Sequence, residues 1–179
     1  TAYITTLSVA QETRDSRIAR LAAEIAMSAS QPGEALSAVR LWRELAPQSE
    51  VAAQYYLGLV MLSDNPVEAQ PVLVQRLQAA SPQERGQLII QIQRLLQRAR
   101  NKVAAFDLLE QLLAPYVDLP QTPLALAQGA LAKGDRERAL HEAERALKAT
   151  PDSELAALTL AQMSADQKAS IVVLTQFLD

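Results

Sequence analysis

The chain has 179 residues and a formal charge of −3, with no Cys, one His, one Trp, five Gly and nine Pro. It holds 32 Ala, 28 Leu and 18 Gln against 4% aromatics, a composition that favours an all-helical protein. Zero Cys excludes a disulfide scaffold, a thiolate metal site and a thiol nucleophile; the near-balanced charge speaks against a general nucleic-acid binder, and no apolar run approaches the roughly 18 residues that span a membrane.

The elements follow in chain order. Residues 3–12 read as a short helix with Ile4, Leu7 and Val9 or Ala10 on one side, too short to be stable alone. Asp15 caps a helix over 16–29 with Ile18, Leu21, Ala22, Ile25 and Ala26 as its stripe, and Gln31-Pro32-Gly33 breaks it. A helix over 33–46 carries Leu36, Val39, Leu41, Trp42 and Leu45 and stops at Pro47. Ser49 caps 50–62, and Pro66 suits the first turn of a helix over 67–80. Ser81-Pro82 with Glu84 opens the longest helix, 82–99. Asn101-Lys102 leads into 103–115, and a looser connection with three prolines follows. A helix over 122–132 ends at Gly134, placed as a left-handed cap. Helices over 135–149, 153–164 and 166–178 complete the chain. Ten or eleven helices result, with no strand signal and no Gly/Ser linker between independent domains.

Helix pairs at this spacing call for a repeat search. The clearest unit is 120–153, which is 34 residues long. It places Leu126, Ala127, Gly134, Asp135, Ala139, Ala146 and Pro151 at positions 7, 8, 15, 16, 20, 27 and 32. In this it resembles the tetratricopeptide repeat, with Pro123 departing from the large residue at position 4. Residues 16–49 supply Ala19, Ala22, Ala23, Ala35 and Pro47, but Trp42 stands where a small residue belongs. Residues 51–82 supply Leu57, Gly58, Ala69 and Pro82, with one residue missing at the turn. Residues 86–119 keep Ala105, Leu109 and Leu113 but lack the small residue at position 8 and the closing Pro. A leading helix over 1–13 and a shortened final pair over 154–179 flank these units. The resemblance implies an all-α, right-handed superhelical solenoid of antiparallel helix pairs across 1–179, with a plain helical bundle as the alternative. Both ends of the chain are apolar, as expected of a section of a longer array.

Nothing in the sequence groups into a catalytic site. His141 falls beside Glu142 and Glu144 with no Ser partner, the carboxylates sit near helix starts, and the glycines are isolated. No enzyme activity, metal or cofactor is expected. The repeat resemblance implies instead a concave face lined by positions 2, 5, 9 and 12 of the first helices, suited to a protein or peptide. Carried onto this chain, its residues are Arg17, Arg20, Glu24, Tyr55, Leu59, Gln87, Ile90, Arg94, Gln97, Leu124 and Gln128. Arg98 joins them because Arg94 and Arg98 share a helix face at i,i+4 within a basic stretch that also holds Arg85, Arg100 and Lys102. Aromatics are not interleaved with these charges, so single-stranded nucleic acid is a poor candidate. Self-association through the apolar terminal helices 3–12 and 171–178 is the alternative reading. Residues 15–26, with Ala38-Val39-Arg40-Leu41-Trp42 and Glu44-Leu45-Ala46-Pro47, also resemble repeat-bearing periplasmic lipoproteins of proteobacteria, some of them outer-membrane adaptors for a processing protease. That resemblance implies a periplasmic or outer-membrane-associated location, against a cytoplasmic alternative.

Overall fold

In the computed structural model, residues 2–163 and residue 175 are described. Among them the chain forms ten α-helices and two 3₁₀ turns, and no strand. The helices are α1 (Ala2–Thr13), α2 (Ser16–Ser28), α3 (Pro32–Leu45), α4 (Glu50–Leu62), α5 (Gln70–Ala79), α6 (Pro82–Leu96), α7 (Lys102–Leu113), α8 (Gln121–Lys133), α9 (Arg136–Ala149) and α10 (Glu154–Met163). The all-helical reading therefore holds. Apart from residue 175, the expected last helix over 166–178 lies outside the described residues. The chain divides into two compact units, Thr1–Ala69 and Gln70–Asp179. The division falls inside the expected helix 67–80, where no linker composition marks it.

Most helix starts are capped by the residues that the sequence singles out. Asp15, Ser49, Ser81, Asn101, Asp135 and Ser153 each accept a hydrogen bond from a backbone N–H in the first turn that follows. Ser81 and Glu84 close a full capping box, with Ser81 Oγ donating to Glu84 Oε2 at 2.6 Å. Three ends differ from expectation, each for a stated reason. Pro71 lacks an N–H and would clash with the carbonyl four residues back. The chain therefore winds as a 3₁₀ turn over Pro66–Ala69, and α5 begins at Gln70, with Pro71 in its first turn. Pro115 ends α7 at Leu113 in the same way, ahead of a 3₁₀ turn over Ala114–Tyr116. α6 stops at Leu96, because Arg98 N and Ala99 N bond to Leu95 O and Leu96 O in tighter i→i−3 geometry.

In the first unit, α1 packs on α2, α2 on α3, and α3 on α4. Ala19, Ala22, Ala23 and Ala35 are fully buried, as the repeat register requires. The turns are sharper than the sequence suggests. Arg14 and Ser30 take left-handed φ values of 54° and 56°, so Ser30 rather than Gly33 terminates α2. Gly33 lies inside α3.

The repeat frame of α4 and the turn after it also shifts. Counting from 50 instead of 51 puts Tyr56, Leu57 and Val60 at positions 7, 8 and 11, all buried. Ala69 then reaches position 20 with no residue missing. Gly58 is exposed, with no atom within 4 Å of the place a Cβ would take, so it is not the small residue of a helix contact.

A polar clasp closes this unit. The Arg40 guanidinium binds Glu68 through two hydrogen bonds of 2.8 and 2.7 Å. The Tyr56 hydroxyl lies 3.0 Å from both Glu68 O and Glu68 Oε1. Arg43 stands 4.1 Å from the centre of the Tyr56 ring. Burial, then the Glu68 hydrogen bond, pushes the Tyr56 hydroxyl up to about 12. Arg40 holds the Glu68 carboxyl below its usual range.

In the second unit, α8 packs on α6, α7 and α9, and α10 on α9. Leu73, Leu77, Leu108, Leu109 and Leu113 are buried, each contributing about 1.5–3 kcal/mol. Ala127, Ala139 and Ala146 are buried, and Gly134 caps α8 at φ 91°, so the clearest sequence repeat is also a packed one. Pro123 sits in the first turn of α8, where its missing N–H has no helical partner to lose. The Glu142 side chain is 1% exposed and held by Arg138 Nε at 3.0 Å and Arg145 Nη1 at 2.7 Å.

Gly58→Ala removes backbone freedom from the unfolded chain without steric conflict, so it should stabilise by about 0.5–1 kcal/mol. Gly129→Ala would place a Cβ 2.8 Å from Leu109 Cδ2 and 3.0 Å from Phe106 Cδ2 and should destabilise by about 1–3 kcal/mol; urea denaturation of both variants reads the two signs. Tyr56 is protonated in both folded and unfolded chains below pH 10. Between 10 and about 12 only the unfolded chain loses the proton, so stability falls across that window. Tyr56→Phe should lose about 1 kcal/mol at pH 8 and a smaller increment between pH 8 and 11 than the parent, read by Trp42 fluorescence.

Candidate functional site

The residues expected on a binding face divide between the two units, and each set has its own chemistry. In the first unit, Arg17 lies at the start of α2 and binds Asp15 at 2.6 Å. Arg17 holds the Asp15 carboxyl down at about 2, so this pair is a strengthened helix cap. One turn on, Arg20 Nε binds Glu24 Oε1 at 2.7 Å. The same guanidinium lies 5.7 Å from the centre of the Trp42 ring, and Trp42 meets the Tyr55 ring at 5.8 Å, tilted by 45°. Arg20, Glu24, Trp42 and Tyr55 thus form one surface feature drawn from α2, α3 and α4. Trp42 was legible only as an oversized residue in a small-residue position. It is 5% exposed, and Arg20 lies over it.

Leu59 does not belong to this face; it is buried at 7% exposure. The one-residue frame shift in α4 turns it inward, together with Ala52. The solvent stripe of α4 runs instead through Val51, Gln54, Gly58 and Leu62. Burial in the neighbouring helix was the missing signal, and Ala69 standing one place short of its expected position was the hint in the sequence.

In the second unit, α6 presents Gln87, Gln91 and Arg94 to solvent, and the turn after it presents Gln97 and Arg98. Ile90 is half-buried and packs against a cluster of Leu124, Ala146 and Ala156. Leu124 is itself buried at 8% exposure, so it supports the face from beneath and does not line it. Gln128 is half-buried. The tighter winding after Leu96 means that Arg98 does not follow Arg94 by one α-helical turn.

The basic stretch separates into two kinds of residue. Arg85 donates to Leu77 O at 3.0 Å and Ala80 O at 2.7 Å, and stands 5.2 Å from the Tyr116 ring centre. It therefore satisfies carbonyls at the end of α5, groups that a helix leaves unpaired. Lys102 donates to Gln97 O at the end of α6. Arg94 and Arg98 are exposed and form no ion pair or side-chain hydrogen bond with any described residue. They are the members of the stretch left available to a ligand.

His141 is exposed in an open depression that also shows Phe106, Glu110, Lys133, Asp135, Glu137 and Arg138. Among the described residues no three His, Asp or Glu side chains come together as a metal ligand set, and no helix is long and apolar enough to cross a membrane.

No family model matches the chain, and no curated protein matches it. Among solved structures it is similar to the C-terminal part of a TPR repeat-containing protein from Cytophaga hutchinsonii. That likeness has 16% identity and a TM-score of 0.46, and covers 99% of this chain and 73% of the other.

The division of the arginines is directly testable. Arg85→Ala should destabilise by about 1–3 kcal/mol, because it strands helix carbonyls. Arg94→Ala and Arg98→Ala should each stay within about 0.5 kcal/mol. Thermal unfolding of the three variants distinguishes a structural residue from two available ones.

Proposed function

We propose that the protein is a non-catalytic scaffold that binds a protein or peptide segment, and that the second unit contributes an acidic-peptide face along α6. The observation that carries this reading is the pair Arg94 and Arg98, exposed and without a side-chain partner among the described residues, beside Gln87, Gln91 and Gln97. Exposed guanidiniums with no internal carboxylate offer planar, bidentate donors to Asp, Glu or a chain-terminal carboxylate. The glutamines add neutral donors and acceptors that suit an extended backbone. The first unit supplies a different face, in which Arg20, Glu24 and Tyr55 surround the edge of Trp42.

The resemblance of residues 15–26, 38–42 and 44–47 to periplasmic repeat lipoproteins is what supports placing this scaffold in the bacterial envelope, as an adaptor. Fractionation of the native source addresses that placement.

The test uses fluorescein-labelled peptides of equal length carrying acidic, neutral or basic side chains, read by anisotropy. The acidic series should bind, weakening as salt rises. Arg94→Glu with Arg98→Glu should lower that affinity at least about tenfold, equivalent to about 1.4 kcal/mol, with helicity unchanged. Equal affinity in the double variant, or no preference for acidic peptides, overturns the assignment of this face.

A further inference from the structure

Among its described residues, the second unit contains one buried polar side-chain atom without a hydrogen-bond partner. Gln93, on α6, is 1% exposed. Its Nε2 donates to Gln97 Oε1 at the long distance of 3.5 Å. Its Oε1 accepts nothing from the described residues. A buried amide oxygen in that state is unfavourable, and native proteins nearly always provide it with a donor.

The amide borders a cavity of about 10 Å³ lined by Gln93, Leu96, Gln97, Lys102, Phe106 and Gly129, among others. That volume is about what one water requires, and a buried water needs two to four polar partners. Gln93, Gln97 and Lys102 are the polar side chains of this lining. The space has an identifiable origin. The repeat register asks for a small residue where α6 carries Gln93, and Gly129 on α8, also in the lining, lets Leu109 and Phe106 close on its backbone. A Cβ at Gly129 would press on Leu109 and Phe106.

We infer that this cavity is a binding site for a single ordered water, which donates a hydrogen bond to Gln93 Oε1 and is shared with the polar ends of Gln97 and Lys102. The assignment does not depend on which way the Gln93 amide is turned. Reversed, its NH₂ enters the cavity, and the same water accepts from it. A space of this volume suits a single water. The site adjoins the proposed peptide face at Gln97, but its central group differs, since Gln93 is buried while Arg94 and Arg98 are exposed. It gives α6 a reason to keep an amide where alanine would pack more simply.

Water-to-protein ROE and NOE spectra of the intact chain test this directly. Cross-peaks of bound-water sign are expected between water and the Gln93 side-chain amide, the Phe106 ring and the Gly129 Hα protons. In Gln93→Met, which keeps the length of the side chain and removes both polar atoms, the cross-peaks to Phe106 and Gly129 should disappear while helicity is retained. Absence of bound-water cross-peaks in the parent protein overturns the inference. So does their persistence in Gln93→Met, since the water would then be held by something other than the amide. Should the variant fail to fold, the parent spectrum alone decides.

Discussion

Close approach of helix backbones through alanine is the constraint on which both units depend. Ala19, Ala22, Ala23 and Ala35 in the first unit, and Ala125, Ala127, Ala130, Ala139 and Ala143 in the second, have 0% exposure. An alanine loses no rotamer entropy on burial and adds only a methyl group between two backbones. Where α2 meets α3 and α8 meets α9, the gain is dispersion between main chains, at a density that leaves no room for larger groups. Leucine then fills the seams that remain, as at Leu73, Leu77 and Leu109. Polar residues are left to helix ends and outer faces.

The informative positions are those where a larger residue breaks this rule. Each is matched by a local adjustment. Trp42 occupies a small-residue position, and Tyr55 tilts against one side of it while Arg20 covers it from α2. Leu57 takes the small position in α4, and the exposed Gly58 beside it carries none of the packing. Gln93 takes it in α6, and a small cavity that Gly129 of α8 also lines stays open beside it. A repeat can thus diverge in sequence while keeping its helix pairing, because volume is exchanged between neighbours and not conserved at a single site.

Much of the architecture was legible in the sequence because its signals are local. Capping residues act on the next three amides, and prolines act on their own peptide. Gly134 was readable since only glycine takes its φ freely. The left-handed turns at Arg14 and Ser30 were not readable, since neither residue type favours that conformation and the surrounding helices impose it. The candidate site was less legible than the fold. Whether an arginine is available depends on what lies opposite it in space. Arg85 and Arg94 look alike in a basic stretch, yet one is bonded to carbonyls of α5 and the other faces solvent. Leu124 was misplaced because Ala146, Ala156 and Ile90 cover it, and Leu59 by a slip in frame. A one-residue slip in frame rotates a helical position by about 100°, which is enough to carry a surface residue into the core.

The pairing of charges also ranks the two faces as candidate binding surfaces. At the first, a ligand carboxylate must displace Glu24 from Arg20 at 2.7 Å and disturb the guanidinium over Trp42. What it gains is offset by what it breaks. Exposed ion pairs contribute only about 0–1 kcal/mol, so this face is not closed to ligands, but electrostatics alone gives it little preference. Shape and aromatic contact must supply the rest there. At the second, Arg94 and Arg98 have no carboxylate among the described residues to surrender, and an incoming acid replaces only water. The net charge of −3 conceals this difference, because it sums cations already engaged within the fold with the few that remain available outside it.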